Sequence, residues 1–404
     1  MILAFTHKIS VLWTTHSPGK TVPALIVTMA MMLTACHTPA PGDPLEPSDA
    51  STRYASLLQM QDVDASMTVC RIMNPWQPER IAIQYLLTKG ETDAETLERM
   101  EHRFGRMQVL RVPLQRQTIS ASCHAWLLNE LEALSSIRVM CDANYVRVRE
   151  MTRMLDDGTV ADGGNSMSPN AEVIRAAGSD AIWISPYEGA SQQIMSTLLP
   201  DIPIIYCADY METGPLARAE WMRFYGRLVD KAAKADSLFS AVEKHYEELT
   251  GMHDTEKNAG SNTSGKKLLA DLPYGSTWYV AGGRSTLGTM YKDAGFCYPW
   301  ADDVHGGSLA LAPEAVFEKA HDADIWLFKY NSADNDMTLT ELTAQNPLFV
   351  QIKAVMDKNV YGCNTSNNDY FDVTPFRPDL LMEELNRLAS GKTDSLRYFE
   401  RLVE

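Results

Sequence analysis

The stretch that decides the fold runs from Gly214 to Leu249 and reads GPLARAEWMRFYGRLVDKAAKADSLFSAVEKHYEEL. Its apolar residues recur every three or four positions along the whole length, which predicts one continuous helix with a single buried stripe. Pro215 suits the first turn of a helix, and Gly251 stands where a left-handed C-cap would end it. At a rise of about 1.5 Å per residue the helix would be about 50 Å long, enough to span two lobes. A helical hairpin with a break near Gly226 is the alternative, because glycine costs only about 1 kcal/mol in a helix.

The first 35 residues have the pattern of a secretory signal. Lys8 and Lys20 precede an apolar run that ends in LTAC and is too short to cross a membrane as a mature helix. Small residues directly before a cysteine resemble a bacterial lipobox, so we expect residues 1–35 to be a cleaved signal peptide and Cys36 to carry the lipid. The alternative is a stray cysteine that follows a signal cleaved elsewhere.

Composition sets the expectations for the rest of the chain. Residues 36–51 are rich in proline and small polar residues, which predicts a lipidated, flexible tether. The remaining chain of about 350 residues exceeds the usual size of a single hydrophobic core, so we expect two lobes. The net charge of -16 and the lack of basic runs argue against a nucleic-acid partner. Disulfides are permitted in an exported chain, but we favour buried free thiols for the cysteines after Cys36.

Strand-like and helix-like runs alternate on both sides of the long helix, which predicts largely parallel sheets covered on both faces. In residues 52–213, assigned to an N-terminal lobe, the strand-like runs are Thr68–Met73, Ile81–Leu87, Arg106–Val112, Ile137–Met140, Asp180–Ser185 and Ile202–Cys207. Helix-like runs there are Ile119–Leu134, Pro169–Ala177 and Ser191–Leu198. Residues 251–404, assigned to a C-terminal lobe, have strand-like runs at Lys267–Leu272, Thr277–Val280, Ile325–Phe328 and Val360–Tyr361. We therefore predict an α/β protein of two Rossmann-like lobes with largely parallel sheets, joined by one long inter-lobe α-helix at residues 214–250.

Two matching segments lie on either side of this helix. One is SPNAEVI at 168–174 followed by SDAIW at 179–183, and the other is APEAV at 312–316 followed by ADIW at 323–326. Each is typical of a short helix that carries a glutamate and leads into a strand. With this layout, nearly the whole mature chain resembles the helical-hinge, class III substrate-binding lipoproteins of ABC importers for iron-siderophore, haem and cobalamin. The resemblance implies that Glu172 and Glu314, on separate lobes, dock into arginines of the permease.

Each of these glutamates taken alone has a simpler explanation, because a carboxylate in the first turn of a helix is stabilised by the helix dipole. The repetition of the same local context on both sides of the long helix favours docking. Arg218 and Glu220, at the entry to the long helix, are interpreted as structural ion partners rather than ligand contacts.

Aromatic side chains at predicted strand ends suit a large planar or macrocyclic ligand, because they combine a rigid apolar face with a polar edge. We expect about half of them to face a cleft between the lobes and the rest to pack inside a lobe. The candidates for the ligand-binding cleft are Trp76, Tyr187, Tyr210, Trp278, Tyr279, Tyr330 and Tyr370, with Arg284 as an anchor for an anionic group. His305 could serve as an axial ligand to a metal, although a solvent-exposed loop histidine is the more common case.

The resemblance implies a monomeric binding protein without a cofactor of its own, which works with an ABC permease and its ATPase. Its ligand would be a metal chelate: a ferric siderophore, haem or a corrinoid. It would sit in the cell envelope, lipid-anchored on the periplasmic side of the inner membrane, with outer-membrane anchoring left open. Two alternatives remain: an exported α/β enzyme such as a hydrolase or metal chelatase, and a surface lipoprotein that captures ligand without a permease. The enzyme alternative is not favoured, because the sequence holds no GxSxG, P-loop or HExxH motif.

Overall fold

The computed structural model describes residues 43–187, 197, 199–258 and 265–404. The predicted signal peptide, Cys36 and most of the predicted helix at 191–198 lie outside these ranges. We refer to residues 43–211 as the N-terminal half and to residues 265–404 as the C-terminal half.

The N-terminal half begins with a four-stranded sheet in the order β1-β2-β3-β4. Its strands are β1 (Leu58–Asp62), β2 (Met67–Asn74), β3 (Gln77–Lys89) and β4 (Gln108–Val112), and helix α1 (Ala94–Phe104) connects the last two. β1, β2 and β3 are antiparallel, and only β4 runs parallel to its neighbour β3. The expectation that the runs from Thr68 and Ile81 belong to a parallel sheet is therefore wrong. They form a hairpin that turns at Pro75 and Trp76.

A second sheet of this half is entirely parallel and has the order β7-β6-β5-β8-β9. Its strands are β5 (Gln117–Ile119), β6 (Ile137–Met140), β7 (Ala161–Asp162), β8 (Ala181–Ile184) and β9 (Ile204–Tyr206). The helices between them are α2 (Ser122–Glu130), α3 (Arg149–Asp156) and α4 (Ala171–Ala176). This sheet confirms the predicted alternation, except that β5 precedes α2 where the sequence predicted helix from Ile119.

The predicted 214–250 helix is divided into α5 (Pro215–Glu220), α6 (Met222–Leu228) and α7 (Ala232–Asn258). The helix is interrupted at residues 229–231, where Asp230 has a left-handed φ of 54°. A Cβ on Gly226 would overlap the Cβ of Ala235, so α6 and α7 pack closely against each other as a hairpin. The prediction of one continuous helix is wrong, and the hairpin alternative describes the structure, with the break just after Gly226. The apolar stripe continues through the break because both arms bury an apolar face. We call residues 212–231 the hinge segment.

The C-terminal half also combines two sheets. Its strands are β10 (Leu268–Ala270), β11 (Pro273–Tyr274), β12 (Thr277–Ala281), β13 (Ser308–Leu311), β14 (Ile325–Tyr330), β15 (Val360–Asn364) and β16 (Glu400–Arg401). The main sheet has the order β10-β14-β15-β16 with only β16 antiparallel, and β11-β12-β13 form a small antiparallel sheet. The helices are α8 (Thr286–Asp293), α9 (Pro313–Ala320), α10 (Leu339–Gln345), α11 (Lys353–Met356), α12 (Tyr370–Val373) and α13 (Pro378–Ser390). The mixed α/β class with several parallel sheets is as predicted.

Residues 43–57, which we call the strap, pack against the folded body. Asp43 donates its backbone N–H to the carbonyl of Arg103 at 3.0 Å, and Ala50 is completely buried. The predicted flexible tether at 36–51 is therefore wrong for residues 43–51. Proline and small polar residues predicted an unpacked segment because they bury little apolar area, but polar contacts hold the strap in place.

The six cysteines of the described ranges are free thiols, as favoured from the sequence, and all but Cys297 are buried. No helix in the described part of the chain has the length and apolar character needed to cross a membrane.

Candidate functional site

The loops that follow the parallel strands of the two halves meet at a shared boundary. Arg147, in the loop after β6, donates its backbone N–H to Oδ2 of Asp372 in α12, which follows β15, at 2.8 Å. The ring of Phe376, just after α12, lies 5.9 Å from the ring of His124 in α2, which follows β5. Asp372 is buried at this boundary, and burial raises its pKa above the ordinary value. Because carboxyl ends of parallel strands are where ligands bind in α/β sheets, this boundary is the candidate cleft.

A buried polar cluster forms the floor of the boundary in the N-terminal half. Oδ1 of Asp209, directly after β9, accepts the Tyr225 hydroxyl at 2.7 Å and lies 3.1 Å from Nε2 of His124. Oδ2 of Asp209 pairs with Arg218 Nε at 3.2 Å. Burial opposes ionisation of Asp209, but the bonds and charges of His124, Arg218 and Tyr225 outweigh it and lower the pKa to about 2. The carboxylate is therefore ionised at neutral pH and fixes the loop that leads into the hinge segment.

Exposed aromatic side chains follow the carboxyl ends of parallel strands in both halves. Tyr145, after β6, is 65% exposed and Tyr274, after β10, is 83% exposed. Tyr210, after β9, is less exposed and donates its hydroxyl to the carbonyl of Pro186. Met167, after β7, adds an exposed thioether. A large apolar ligand would find its contacts among such side chains.

Tyr145 and Met167 were missed by the sequence analysis. Both follow a strand, which was the available signal, but β7 has only two residues and its apolar run is too short to recognise. The loops that carry them are tied together, since Asp142 donates its backbone N–H to the carbonyl of Gly164 at 2.8 Å.

Two predicted cleft residues belong to the core of the C-terminal half. Trp278 is 1% exposed and donates its indole N–H to the carbonyl of Ala270 at 3.0 Å. Tyr370 is 4% exposed and lies under Lys329, whose Nζ is 5.8 Å from the ring centre. The prediction that these two side chains line an open cleft is wrong, because each fills the space beside the main sheet.

Lys329 and Asp271 form an ion pair at the carboxyl ends of β14 and β10, with Nζ and Oδ1 2.6 Å apart. Burial opposes the charge on Lys329, but the neighbouring carboxylate of Asp271 raises its pKa well above the usual value. Each charge of the pair has the other as its partner, so the pair stabilises this edge of the sheet without a ligand.

The other predicted cleft residues are spread over the surface. Trp76 lies at the β2–β3 turn, Tyr279 is exposed on β12, and Tyr187 is half-buried at the end of a described range. Arg284 lines an open pocket of about 470 Å³ beside Thr213. Tyr330 lines a different pocket of about 310 Å³ and donates its hydroxyl to Asp336 at 3.2 Å. The structure does not bring these described side chains together in one pocket.

His305 is an exposed loop residue whose Nδ1 lies 2.9 Å from Oδ1 of Asp303. This agrees with the common solvent-loop interpretation. In the described ranges, no group of three or more His, Cys, Asp or Glu side chains is arranged to hold a metal ion.

The two predicted docking glutamates occupy equivalent positions in the two halves. Glu172 and Glu314 are both exposed in the first turn of a helix, α4 and α9 respectively. α4 leads into β8 and α9 leads into β14, both of which are buried parallel strands. The sequence therefore predicted the local setting of both carboxylates correctly.

The strands that follow these helices are held by the same device in each half. Asp180, before β8, donates its backbone N–H to the carbonyl of Arg116 at 2.8 Å and accepts the Arg116 N–H on Oδ2 at 3.0 Å. Asp324, before β14, exchanges the same two bonds with Lys267, each at 2.8 Å. The two halves thus repeat one structural plan around Glu172 and Glu314.

Comparisons with known proteins show that this fold is shared. A periplasmic haem-binding protein from Pseudomonas aeruginosa superimposes with a TM-score of 0.56 at 12% identity, covering 72% of this chain and 98% of that one. An ABC-type Fe3+-hydroxamate transport protein from Saccharomonospora viridis gives a TM-score of 0.51 at 17% identity, covering 70% of this chain and 94% of that one. An uncharacterized lipoprotein of Methanocaldococcus jannaschii is 24% identical over 314 residues, 75% of this chain and 71% of that one.

Residues 135–366 match the family described as periplasmic binding protein, and the match covers more than half of the 404 residues. The match begins before β6 and ends after β15, so it includes parts of both halves and the whole hinge segment, whereas His124, Asp372 and Phe376 of the boundary lie outside it. The chain belongs to this family and is a solute-binding protein rather than an enzyme.

Proposed function

We propose that this protein is the substrate-binding component of an ABC importer in the cell envelope. It captures a metal chelate between its two halves and delivers it to a permease that works with an ATPase. The observation that carries the proposal is the family match, which includes parts of both halves and the segment that joins them. Cys36 would anchor the chain by a lipid on the periplasmic side of the inner membrane, and the protein would act as a monomer.

The class of ligand follows from the side chains at the strand ends. Tyr145, Tyr210 and Tyr274 present exposed rings, and Met167 presents a polarizable thioether. These groups suit a large ligand with apolar faces, such as haem, a ferric siderophore or a corrinoid. The structurally similar proteins named for haem binding and for Fe3+-hydroxamate transport support the same choice.

Delivery requires contact with the permease on both halves. Glu172 and Glu314 are exposed carboxylates on equivalent helices of the two halves, which supports a two-point docking by charge pairing. Their separation would change with the relative orientation of the halves, so docking could distinguish ligand-bound from free protein.

The direct test is a thermal-shift panel with haemin, cobalamin, cobinamide and several ferric siderophores, each matched by its metal-free form. A ligand at about 100 times its dissociation constant adds about 2.7 kcal/mol to the free energy of unfolding, which gives a clear shift. We expect one metal chelate to raise the melting temperature in a saturable way with a stoichiometry of one. A flat panel would overturn the proposed ligand class.

The position of the bound chelate is tested with matched variants of exposed apolar side chains. Tyr145→Ala and Met167→Ala are expected to weaken binding of the chelate selected by the panel. Met356→Ala, which removes an equally exposed side chain on α11, is the control and should leave the dissociation constant unchanged. Equal effects of all three variants would contradict a cleft at the carboxyl edges.

A further inference from the structure

The strap is held by two buried carboxylates of the hinge segment. Oε1 of Glu220 accepts the backbone N–H of Arg53, and Oε2 accepts those of Tyr54 and Ala55, each at 2.8 Å. Glu212 accepts the N–H of Ser56 at 3.0 Å and that of Leu57 at 2.9 Å. Glu220 is 0% exposed and Glu212 is 2% exposed. Five consecutive backbone donors of the strap thus depend on two buried carboxylates as their acceptors.

The strap also reaches the other arm of the broken helix. The Tyr54 hydroxyl lies 2.7 Å from Oε1 of Glu243 and 2.9 Å from Oε1 of Glu247, both on α7. Glu220, which holds the Tyr54 amide, lies on α5. A single residue of the strap is therefore bonded on both sides of the break at residues 229–231.

A second bridge crosses the same break. Arg223, on α6, donates Nη1 to the carbonyl of Ser51 at 2.8 Å and pairs through Nε with Oδ1 of Asp236 on α7, also at 2.8 Å. The guanidinium therefore joins the strap to both helices of the hairpin, α6 and α7. Charge-assisted bonds of this kind have a fixed geometry, which suits them to hold two elements in register.

Glu212 connects this assembly to the C-terminal half. Its carboxylate holds the strap and accepts the indole N–H of Trp221 at 2.9 Å, while its backbone carbonyl accepts the hydroxyl of Thr286 on α8 at 3.2 Å. A rotation of the C-terminal half about the hinge segment would therefore displace Glu212, which binds the backbone of Ser56 and Leu57.

We propose that the strap is a splint for the hinge segment. A continuous helix would resist bending between the halves by itself, but the break at residues 229–231 removes that stiffness. The strap restores it by tying α5, α6 and α7 together, so the range of orientations available to the two halves depends on whether the strap is bound. The proposal concerns this chain alone and does not depend on which ligand the cleft takes.

The test combines hydrogen exchange with distances between the halves. Spin labels at the exposed positions Ala176 and Glu318, in a background without Cys36 and Cys297, report the distribution of distances between the halves by pulsed electron paramagnetic resonance. Glu220→Gln has the shape of the native residue but loses one acceptor, and its NH2 group faces backbone donors. We expect the amides of residues 53–55 to exchange at least about tenfold faster and the distance distribution to broaden. Glu79→Gln, an exposed change at the start of β3, should alter neither quantity.

The double variant Arg53→Ala and Tyr54→Phe provides a second test, because it keeps the backbone amide contacts with Glu220 and removes the side-chain bonds of both residues to Glu243 and Glu247 on α7. It should broaden the distance distribution while the amides of residues 53–55 remain protected. The splint is refuted if either variant leaves the distribution at its native width, since the strap would then be a local cap. It is also refuted if the amides of residues 53–57 exchange at unprotected rates in the native protein.

Discussion

Glu212 and Glu220 share the backbone N–H groups of five consecutive residues, with Glu220 taking Arg53 to Ala55 and Glu212 taking Ser56 and Leu57. The interpretation of Glu220 as a structural residue is confirmed, since it also pairs with Arg223 at 3.3 Å. Arg218 is likewise structural, because it pairs with the buried Asp209. The acidic entry to the hinge segment therefore serves the fold and leaves the cleft to other side chains.

Two helical glycines should respond in opposite directions to the same substitution. Gly226→Ala would place a Cβ against Ala235 and within 3.2 Å of the carbonyl oxygen of Lys231, so the hairpin must open. We expect a loss of about 1–3 kcal/mol in the free energy of unfolding. Gly251→Ala has open space around its new Cβ and should gain up to about 1 kcal/mol, because alanine favours the helix. Denaturant unfolding of both variants measures the difference, and effects of the same sign would contradict the close packing of α6 on α7.

The buried carboxylate of Asp209 should make stability sensitive to acid. Its pKa is lowered to about 2 in the folded protein, against about 3.9 for an unperturbed aspartate. A depressed pKa contributes stability that is complete above about pH 4 and is lost as the pH falls toward about 2. Asp209→Asn should lower the free energy of unfolding by about 3 kcal/mol or more at pH 7. It should also make the free energy of unfolding less dependent on pH between about pH 4 and pH 2. Unfolding curves at several pH values test both effects, with the exposed Asp334→Asn as the control.

Charge reversal at Glu172 and Glu314, the proposed docking residues, should separate transport from ligand binding. The double variant Glu172→Lys and Glu314→Lys is expected to keep the wild-type dissociation constant for the chelate and to abolish uptake through the permease, because the proposed docking needs a negative charge on each half. Glu318→Lys, an exposed reversal on the same helix as Glu314, is the control and should leave uptake unchanged. An equal loss of ligand affinity in the double variant would rule out a docking role.

Thiol reactivity should reveal a single accessible cysteine in the described part of the chain. Cys297 is exposed, whereas burial raises the pKa of Cys123 and Cys141 to about 12. With Cys36 replaced, Ellman's reagent should modify one thiol rapidly and the other five only on unfolding. The variant Cys297→Ser should lose the rapid phase, and a rapid phase that survived it would show that the core opens in the native state.

Much of the fold could be predicted because strands and helices leave periodic patterns of apolar residues. The helix α9 was predicted from the segment APEAV at 312–316, since proline marks the start of a helix and α9 begins at Pro313. The strands β6 and β14 were recognised from short apolar runs. β7 was missed because two residues carry no period, and the antiparallel pairing of β2 with β3 was missed because alternation does not report strand direction.

The site was less predictable than the fold. The settings of Glu172 and Glu314 were correct because each depends only on a short helix and the strand that follows it. Trp278 and Tyr370 were misplaced because an aromatic residue at a strand end can turn either to a cleft or to the core, and its neighbours in space decide which. The Asp209 cluster joins His124, Arg218 and Tyr225 from separate elements, so no local pattern could indicate it.

The sequence by itself determined the α/β class, the periodic apolar stripe of residues 214–249 and the paired glutamates. Only the tertiary structure decided that the stripe folds back at residues 229–231 and that residues 43–57 strap the resulting hairpin. The physical reason is that periodicity records which side of an element is buried, whereas a break or a buried carboxylate depends on the partner that approaches it.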